Sequence, residues 1–407
     1  MMPLLILMFL MAGISVSIKY FLFRIPFVQE TIIFAIKSLR VPVLRLSIDS
    51  GLAAKDLFTI PSPLSRSLEP CCDSDHVLSC VDVEVDPEVL LSEDDISING
   101  VDLVFSNFIP PHARTYKTAA GDEAVVSFNE ETGSITGTLH TGEGRAFALE
   151  RCVDSYIFEE FDMDSFPKDK ATVVYGADEE NGEVFSNNTV RSEANTYSIM
   201  FYYTPEFAAA TPKIEDFIDQ VIADTNQGYA NSKIDITATK FCQELATISE
   251  ATTSDEDMLE AFTDMKGTGW EGRKALRNTA DAAHLLVLEN SLHCGEAYFE
   301  IPMHGWTVGL TMKSCALGGH ILGHELGHNF GADHDPRVAS NYLISYGHGH
   351  LIEKETNKQG FNTIMAYSTT GYWPKVNYYS TTPTLKSPSL AQEHPTGSRA
   401  SPTMPGF

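Results

Sequence analysis

Three histidines and one glutamate lie within eleven residues of the chain: His324, Glu325, His328 and His334. His324 and His328 are four residues apart, and on an α-helix this spacing separates two side chains by only about 40° around the axis. Both imidazoles would then point from one face and bind one ion, since zinc takes histidine nitrogen at about 2.0–2.1 Å. The spacing therefore predicts a metal site on a helix.

A glycine after the second histidine explains how a third histidine joins the site. Gly331 lies three residues beyond His328 and can adopt backbone angles that are closed to other residues. The chain can therefore leave the helix at Gly331 and bring His334 back to the metal. Three histidines leave a fourth position for water, which is the arrangement of a catalytic zinc, and such a water has a pKa of about 7.

The acidic residue of this segment, Glu325, directly follows the first predicted ligand. A carboxylate beside the metal can accept a proton from the water and pass it to a leaving amine, acting as base and then as acid. This role fits the position of Glu325 better than direct ligation does. The four residues thus predict hydrolysis of a peptide bond.

Residues 324–334 resemble the zinc motif of the metzincins, a clan of zinc peptidases. That clan has a methionine turn beneath the metal, and residues 362–368, with Met365 at their centre, resemble this turn. Asp335 directly follows the third histidine, and an aspartate at this position resembles the motif of the adamalysin (reprolysin, ADAM-like) branch. The resemblance implies a zinc metalloendopeptidase in which Gly331, Asp335 and Met365 support the site.

Tyr367 departs from the adamalysin pattern, which often has proline two residues after the turn methionine. Astacins and serralysins have tyrosine there, where it can reach the metal or the developing oxyanion. The resemblance leaves two alternatives. Tyr367 either stabilises the transition state, by about 2–4 kcal/mol for a well-placed donor, or packs against the turn.

The chain around Cys294 and Cys315 resembles the paired-cysteine region ahead of the zinc helix, which implies a disulfide between them. Residues 199–226 resemble the opening strand and helix of reprolysin-like domains. The apolar spacing predicts strands over 197–203, 234–239, 284–288 and 306–312, and helices from Ile214 to about Asn226 and near Met258. We therefore expect an α/β (α+β) peptidase domain over 195–385. Its mixed twisted sheet would have flanking helices and a small C-terminal subdomain after Gly331.

The front half of the chain shows strand periodicity, with short alternating runs separated by glycines from 75 onward. Residues 75–190 are predicted to form a β-rich region, and the part from Ala124 to Arg151 resembles the prodomain of ADAM-like proteases. The resemblance implies a zymogen. A cysteine from this region, Cys152 or the group at 71, 72 and 80, would either block the zinc as thiolate or form disulfides within the region.

The first residues predict export. An apolar run from Leu4 to Ala12 and small residues at 15–17 indicate a signal peptide over 1–17, with a signal anchor as the alternative. Residues 18–74 are interpreted as a leader, and 386–407 as a disordered tail. Asn187 begins a glycosylation triplet, which has meaning only in a secreted chain. The predicted location is extracellular, without stable membrane insertion.

The charge composition argues against one class of binding partner, the nucleic acids. Among 407 residues, 55 acidic against 28 basic side chains give a formal charge of −27, which argues against nucleic-acid binding. We therefore expect a secreted zinc endopeptidase acting on internal bonds of extracellular proteins. The alternative is a non-catalytic binding protein on the same scaffold, against which the retention of Glu325 speaks. Nothing in the sequence assigns a calcium site, an oligomeric state or a preferred peptide bond.

Overall fold

A computed structural model describes fourteen stretches of the chain. They are 54–59, 72, 76–92, 95–110, 112–153, 155–167, 195–255, 257–263, 280–289, 292–299, 307–339, 347–352, 360–367 and 374–380. The predicted signal peptide, Cys71, Asn187 and the predicted tail lie outside these residues. The described residues belong to one compact unit that begins at Ala54.

The first sheet has ten strands, and the short helix α1 (Pro87–Ser92) lies between β3 and β4 in the chain. In space the strands run in the order β1-β4-β5-β6-β7-β8-β9-β10-β3-β2, and every neighbouring pair is antiparallel except β1 with β4. Along the chain they are β1 (Lys55–Asp56), β2 (Phe58–Thr59), β3 (Val77–Val85), β4 (Asp95–Ile98), β5 (Val101–Ile109), β6 (Ala113–Lys117), β7 (Glu123–Asn129), β8 (Ser134–His140), β9 (Ala146–Cys152) and β10 (Ser155–Phe161). This sheet contains the strands that the periodicity predicted, and β1 and β2 extend it into the predicted leader.

The second sheet has five strands in the order β12-β11-β13-β15-β14, parallel except for the antiparallel edge strand β14. Its strands are β11 (Thr196–Tyr203), β12 (Thr237–Leu245), β13 (Ala282–Val287), β14 (Gly295–Ala297) and β15 (Val308–Met312). The helices are α2 (Pro205–Ala210), α3 (Ile214–Ser232), α4 (Met258–Thr263), α5 (Lys313–Gly319) and α6 (Ile321–Asn329), and a small pair of strands follows, β16 (Leu351–Ile352) and β17 (Phe361–Asn362). The expected mixed α/β class is therefore present.

Helix α3 lies between the two sheets. Its apolar residues, such as Phe217 and Val221, share a buried core with β11 and with Leu326 of α6. Its polar face meets β8, whose residues alternate between apolar side chains in the core of the first sheet and hydroxyls that reach α3. Thr138 Oγ1, for example, donates to Asp224 Oδ1 at 2.7 Å. Burial without full compensation raises the pKa of Asp224 to about 8.

The end of α3 differs from the prediction. The sequence placed it near Asn226, a residue that often ends helices, but the helix continues to Ser232. Asn226 does not act as a cap, because its side-chain amide is buried and donates to the carbonyls of Pro110 and Ala238. The helix ends six residues later, where Lys233 takes a left-handed conformation with φ 59° and donates its N–H to the carbonyl of Ala230.

A buried charge cluster joins the first sheet to the start of α5. Lys313 Nζ lies 2.9 Å from Glu150 Oε2 of β9, and Glu159 of β10 is close enough to interact with both. Burial and the charge of Glu150 raise the pKa of Glu159, while Lys313 opposes that shift. Because breaking a buried ion pair is costly, this cluster fixes the helix that leads into the predicted metal motif.

Candidate metal centre

The first two histidines of the motif are held on helix α6 with their Nε2 atoms turned inward. His324 Nδ1 lies 2.7 Å from the carbonyl oxygen of Ile364, and His328 Nδ1 lies 2.8 Å from that of Ala332. A carbonyl accepts only, so in each ring Nδ1 is the donor and Nε2 keeps its lone pair. Hydrogen bonds of this kind orient metal-binding imidazoles and raise their basicity.

The third histidine reaches the same point through a turn at Gly331. This glycine has φ 83°, a left-handed value that side chains other than glycine rarely adopt, and its N–H donates to His328. The following residue, Ala332, donates its N–H to Gly327. The chain therefore reverses directly after α6, and His334 returns to the helix as the spacing predicted.

The three Nε2 atoms form a nearly equilateral triangle. His334 lies 3.0 Å from both His324 and His328, and these two are 3.1 Å apart. Donor atoms of a tetrahedral zinc site with bonds of about 2.0–2.1 Å lie about 3.3 Å apart, so the observed triangle is close to that required. All three residues are buried. Burial, aided by the charges of Lys375 and His328, lowers the pKa of His324 well below its ordinary value, which favours the neutral imidazole that metal binding needs.

Glu325 lies against the edge strand β14. A Cβ on Gly295 would lie 2.5 Å from Glu325 Oε1, closer than real Cβ contacts occur, so the carboxylate occupies space that only glycine leaves open. The side chain of Glu325 is almost fully buried, at 1% exposure. The sequence placed Glu325 beside the metal but gave no sign that Gly295, thirty residues earlier, makes room for it.

Met365 packs against helix α6. Its side chain is 1% exposed and packs onto Gly327 of α6, where a Cβ would overlap the sulfur. The neighbouring residue Ile364 supplies the carbonyl that binds His324 Nδ1. The turn therefore packs on α6 at Gly327 and holds His324 by one hydrogen bond.

Tyr367 lies at the third histidine. Its ring meets the His334 imidazole edge to face, with centroids 4.7 Å apart and an interplanar angle of 80°. The residue is half-buried. This geometry places the phenol beside the metal-binding residues and is compatible with both roles considered for it.

Asp335 ties the third histidine to the segment that follows it. Its carboxylate accepts bonds from the Arg337 guanidinium at 2.7 and 3.0 Å and from the Leu351 N–H at 2.8 Å. Burial acts to raise the pKa of Asp335, but these hydrogen bonds outweigh it and lower the pKa to about 2. Asp335 therefore remains ionised and connects the end of the motif to β16.

The cysteines are paired rather than directed at the metal. Cys294 and Cys315 form a disulfide, with Cα atoms 5.5 Å apart, that joins the residue before β14 to α5. In the first sheet Cys72 and Cys80 form another, and Cys152 is also disulfide-bonded. Cys242 is the free cysteine among the described residues. Of the alternatives for the front-half thiols, the structure shows the disulfides.

Two further residues hold α6 in place, and the sequence did not single them out as supports. Asn329 is fully buried, and its amide donates to the carbonyls of Tyr298 and Val308, which fastens the end of the helix to the sheet. The Tyr379 hydroxyl donates to Gly323 at 2.7 Å. His320, which directly precedes the first residue of α6, is also buried, at 5% exposure.

Among the described residues, no helix combines the length and hydropathy needed to cross a bilayer. The family model Reprolysin_5, metallopeptidase family M12, matches residues 193–380. The chain is 30% identical over 169 residues to a peptidyl-Asp metalloendopeptidase of Stenotrophomonas maltophilia (strain K279a), covering 41% of this chain and 40% of that protein. The match thus spans less than half the length of this relative.

A protein of the same name from Xanthomonas campestris pv. campestris is 25% identical over 297 residues, or 70% of this chain and 69% of that protein. Among solved structures, metalloproteinase-II from Bacteroides fragilis has 12% identity and a TM-score of 0.33, over 62% of this chain and 87% of that chain, a likeness too low to support any argument. None of these matches distinguishes the adamalysin branch. Residues 193–380 are therefore similar to metallopeptidase family M12.

Proposed function

We propose that this chain is a secreted, zinc-dependent endopeptidase that is made as a zymogen and hydrolyses internal peptide bonds of extracellular proteins. The observation that carries the proposal is the triangle of Nε2 atoms of His324, His328 and His334, with sides of 3.0–3.1 Å. A buried glutamate, Glu325, directly follows His324 in the chain. Three neutral nitrogen donors suit zinc and leave a position open for water, as in catalytic sites.

Zinc, when bound, lowers the pKa of a water at the open position to about 7 and polarises a carbonyl group. The protein supplies the remaining steps. Glu325, held against Gly295, accepts the proton that the water loses and delivers it to the nitrogen of the departing peptide. Because the carboxylate is fixed by packing before substrate arrives, little reorganisation is required during the reaction.

Tyr367 is proposed to donate its phenolic hydrogen to the oxyanion that develops on the peptide carbonyl. Its edge-to-face contact with His334 supports this assignment. A Tyr367→Phe variant should then lose about 2–4 kcal/mol of transition-state stabilisation in kcat while KM changes little. Unchanged turnover would assign Tyr367 to packing alone. Asp335, directly after His334, supports an adamalysin-like arrangement of the motif.

The substrate proposal comes from the relatives, which are named peptidyl-Asp metalloendopeptidases. We propose that this chain likewise cleaves peptides at aspartate. Secretion is supported by the predicted signal peptide and by disulfides in both halves of the chain, since disulfides persist in oxidising compartments. The zymogen proposal is supported by the packing of the first sheet against α3 and α5.

Cleavage of casein by the purified full-length secreted protein tests the activity. We expect cleavage that 1,10-phenanthroline abolishes and added zinc restores, and an activity that rises after the first sheet is cut from the peptidase domain. Amino-terminal sequencing of the secreted chain locates the signal cleavage and any activation cut. A protein that binds zinc but shows no chelator-sensitive cleavage in any form would instead support the binding-protein alternative.

A further inference from the structure

Residues 347–352, here called the bridging segment, contact two parts of the metal centre that lie far apart in the chain. On one side the segment is hydrogen-bonded to both neighbours of His334. On the other side it is hydrogen-bonded to the methionine turn and pairs with β17, which leads into that turn. The position of the third histidine can therefore depend on how closely this segment packs on the turn.

The bridging segment holds the residue before the third histidine at two points. The Asp333 N–H donates to the Gly347 carbonyl at 2.7 Å, and the Asp333 carbonyl accepts from the Gly349 N–H at 2.8 Å. The Asp333 carboxylate in turn accepts from the His334 N–H at 2.7 Å. A shift of the bridging segment would therefore move Asp333, and His334 would move with it.

The residue after the third histidine is bound to the same segment. The Asp335 carboxylate accepts from the Leu351 N–H at 2.8 Å, and the Arg337 guanidinium donates to the Leu351 carbonyl at 2.6 Å. His334 is thus flanked on both sides by residues whose partners lie in the bridging segment.

The other side of the segment meets the methionine turn through a contact that only glycine allows. The His350 carbonyl accepts from the Thr363 N–H at 3.0 Å, and the His350 N–H donates to Thr363 Oγ1 at 2.9 Å. Gly349 is buried, and a Cβ on it would overlap the Met365 carbonyl and lie 2.6 Å from the Ala366 nitrogen. These are main-chain atoms, which cannot rotate away as the end of a side chain can. Gly349 has no positive φ, so space rather than backbone conformation requires glycine here.

The methionine turn is itself bound to the first ligand, because the Ile364 carbonyl lies 2.7 Å from His324 Nδ1. The turn at Gly331 brings His334 back towards α6, but glycine has more conformational freedom than other residues and does not by itself fix a distance. The bridging segment supplies a second restraint. It connects the neighbours of His334 to the turn that holds His324.

We propose that the bridging segment positions His334 for zinc, and that Gly349 and Thr363 are the positioning residues that set its distance from the methionine turn. This inference rests on the zinc site of the proposed function. Gly349 and Thr363 act on the metal through His334 and are not ligands. Groups that orient metal ligands in this way typically change metal affinity by about 10–100-fold when they are mutated.

The test measures zinc affinity in the full-length protein and requires no turnover. Zinc is withdrawn from the holoprotein by titration with a chelator of known affinity, and the unfolding midpoint is measured with and without zinc. We expect Gly349→Ala to raise the Kd for zinc at least about tenfold and to reduce the rise in midpoint that zinc produces. A purely structural role would lower both midpoints equally. Thr363→Val, which loses the hydroxyl that accepts from His350, should raise the Kd about fivefold, and Thr363→Ser should restore it.

Gly319→Ala is the matched control, because a Cβ at this position would approach only the Ile321 side chain. It should leave the Kd for zinc unchanged. A folded Gly349→Ala protein with the Kd of this control would overturn the proposal. If Gly349→Ala does not fold, equal Kd values for Thr363→Val and Thr363→Ser would overturn it.

The same measurements separate this proposal from the peptidase proposal. Wild-type protein that binds zinc but cleaves nothing would refute only the peptidase. Chelator-sensitive cleavage, with a Kd for zinc that neither Gly349→Ala nor Thr363→Val changes, would refute only the positioning role. Wild-type protein that binds no zinc would refute both.

Discussion

Replacing Gly295 with alanine tests how the structure positions Glu325. The added Cβ would lie 2.5 Å from Glu325 Oε1, 2.7 Å from Ile321 Cγ2 and 2.8 Å from Glu325 Cδ. The Glu325 carboxyl group and the Ile321 side chain of α6 would have to move, because ordinary contacts begin near 3.4 Å. Such overpacking costs about 1–3 kcal/mol of stability. The helix backbone is held by Asn329, so we expect the carboxylate to give way instead.

A displaced base should affect catalysis more than metal binding. A shift of about 1 Å in a catalytic group can reduce turnover by about a hundredfold, and we expect Gly295→Ala to lower kcat by that order. Zinc content should remain near wild type, because the histidines keep their carbonyl partners. The assay measures kcat and KM for one peptide, together with zinc content by mass spectrometry and the midpoint of thermal unfolding.

Gly319→Ala provides a matched control in the same part of the fold. A Cβ on Gly319 would approach only the Ile321 side chain, at 3.3 and 3.4 Å, so we expect kcat within about threefold of wild type. If Gly295→Ala is folded, zinc-loaded and as active as this control, then Glu325 is not held against β14 in the active protein, and the proposed placement of the base is wrong.

Three further predictions follow from the supports of the site. Gly327→Ala would force the added Cβ against the Met365 sulfur, so zinc retained after dialysis against a weak chelator should fall; retention equal to wild type would contradict this support. The pKa of Asp335 is lowered to about 2 from 3.8, so its stabilising contribution is complete above about pH 4 and is lost as pH falls towards 2. Asp335→Asn should therefore lower stability at neutral pH and flatten its acid dependence, which unfolding in urea from pH 2 to 7 measures. Replacing Cys294 and Cys315 with serine should cost about 3 kcal/mol in the free energy of unfolding, since the bridge closes a loop with a sequence separation of 21; an unchanged urea midpoint would show that the bridge adds no stability.

Local patterns in the sequence were sufficient to predict the structural elements that hold the site residues. The four-residue spacing of His324 and His328 predicted their common direction, and both point to one centre. Gly331 was expected to turn the chain, and its φ of 83° does so. Alternation along β8 was visible as well, because its apolar and hydroxyl side chains separate onto opposite faces. Each of these features depends on neighbours a few residues away.

The features that the sequence did not reveal depend on contacts between distant segments. Gly295 reads as an ordinary turn residue until Glu325 is seen to occupy the space beside it. Asn226 has the side chain of a helix terminator, but tertiary contacts bury its amide and the helix continues. His320 carries no local sign of burial, because the group that covers it, His140, is 180 residues earlier in the chain.

The central claim is that three histidines bind zinc while Glu325 carries the proton. The most direct measurement compares wild type with Glu325→Gln, a change that keeps the shape of the side chain and removes its charge. We expect one zinc per chain in both proteins, and a loss of kcat by about a hundred- to ten-thousandfold in the variant. Cleavage by Glu325→Gln at the wild-type rate, or a folded wild-type protein that binds no zinc, would contradict the account.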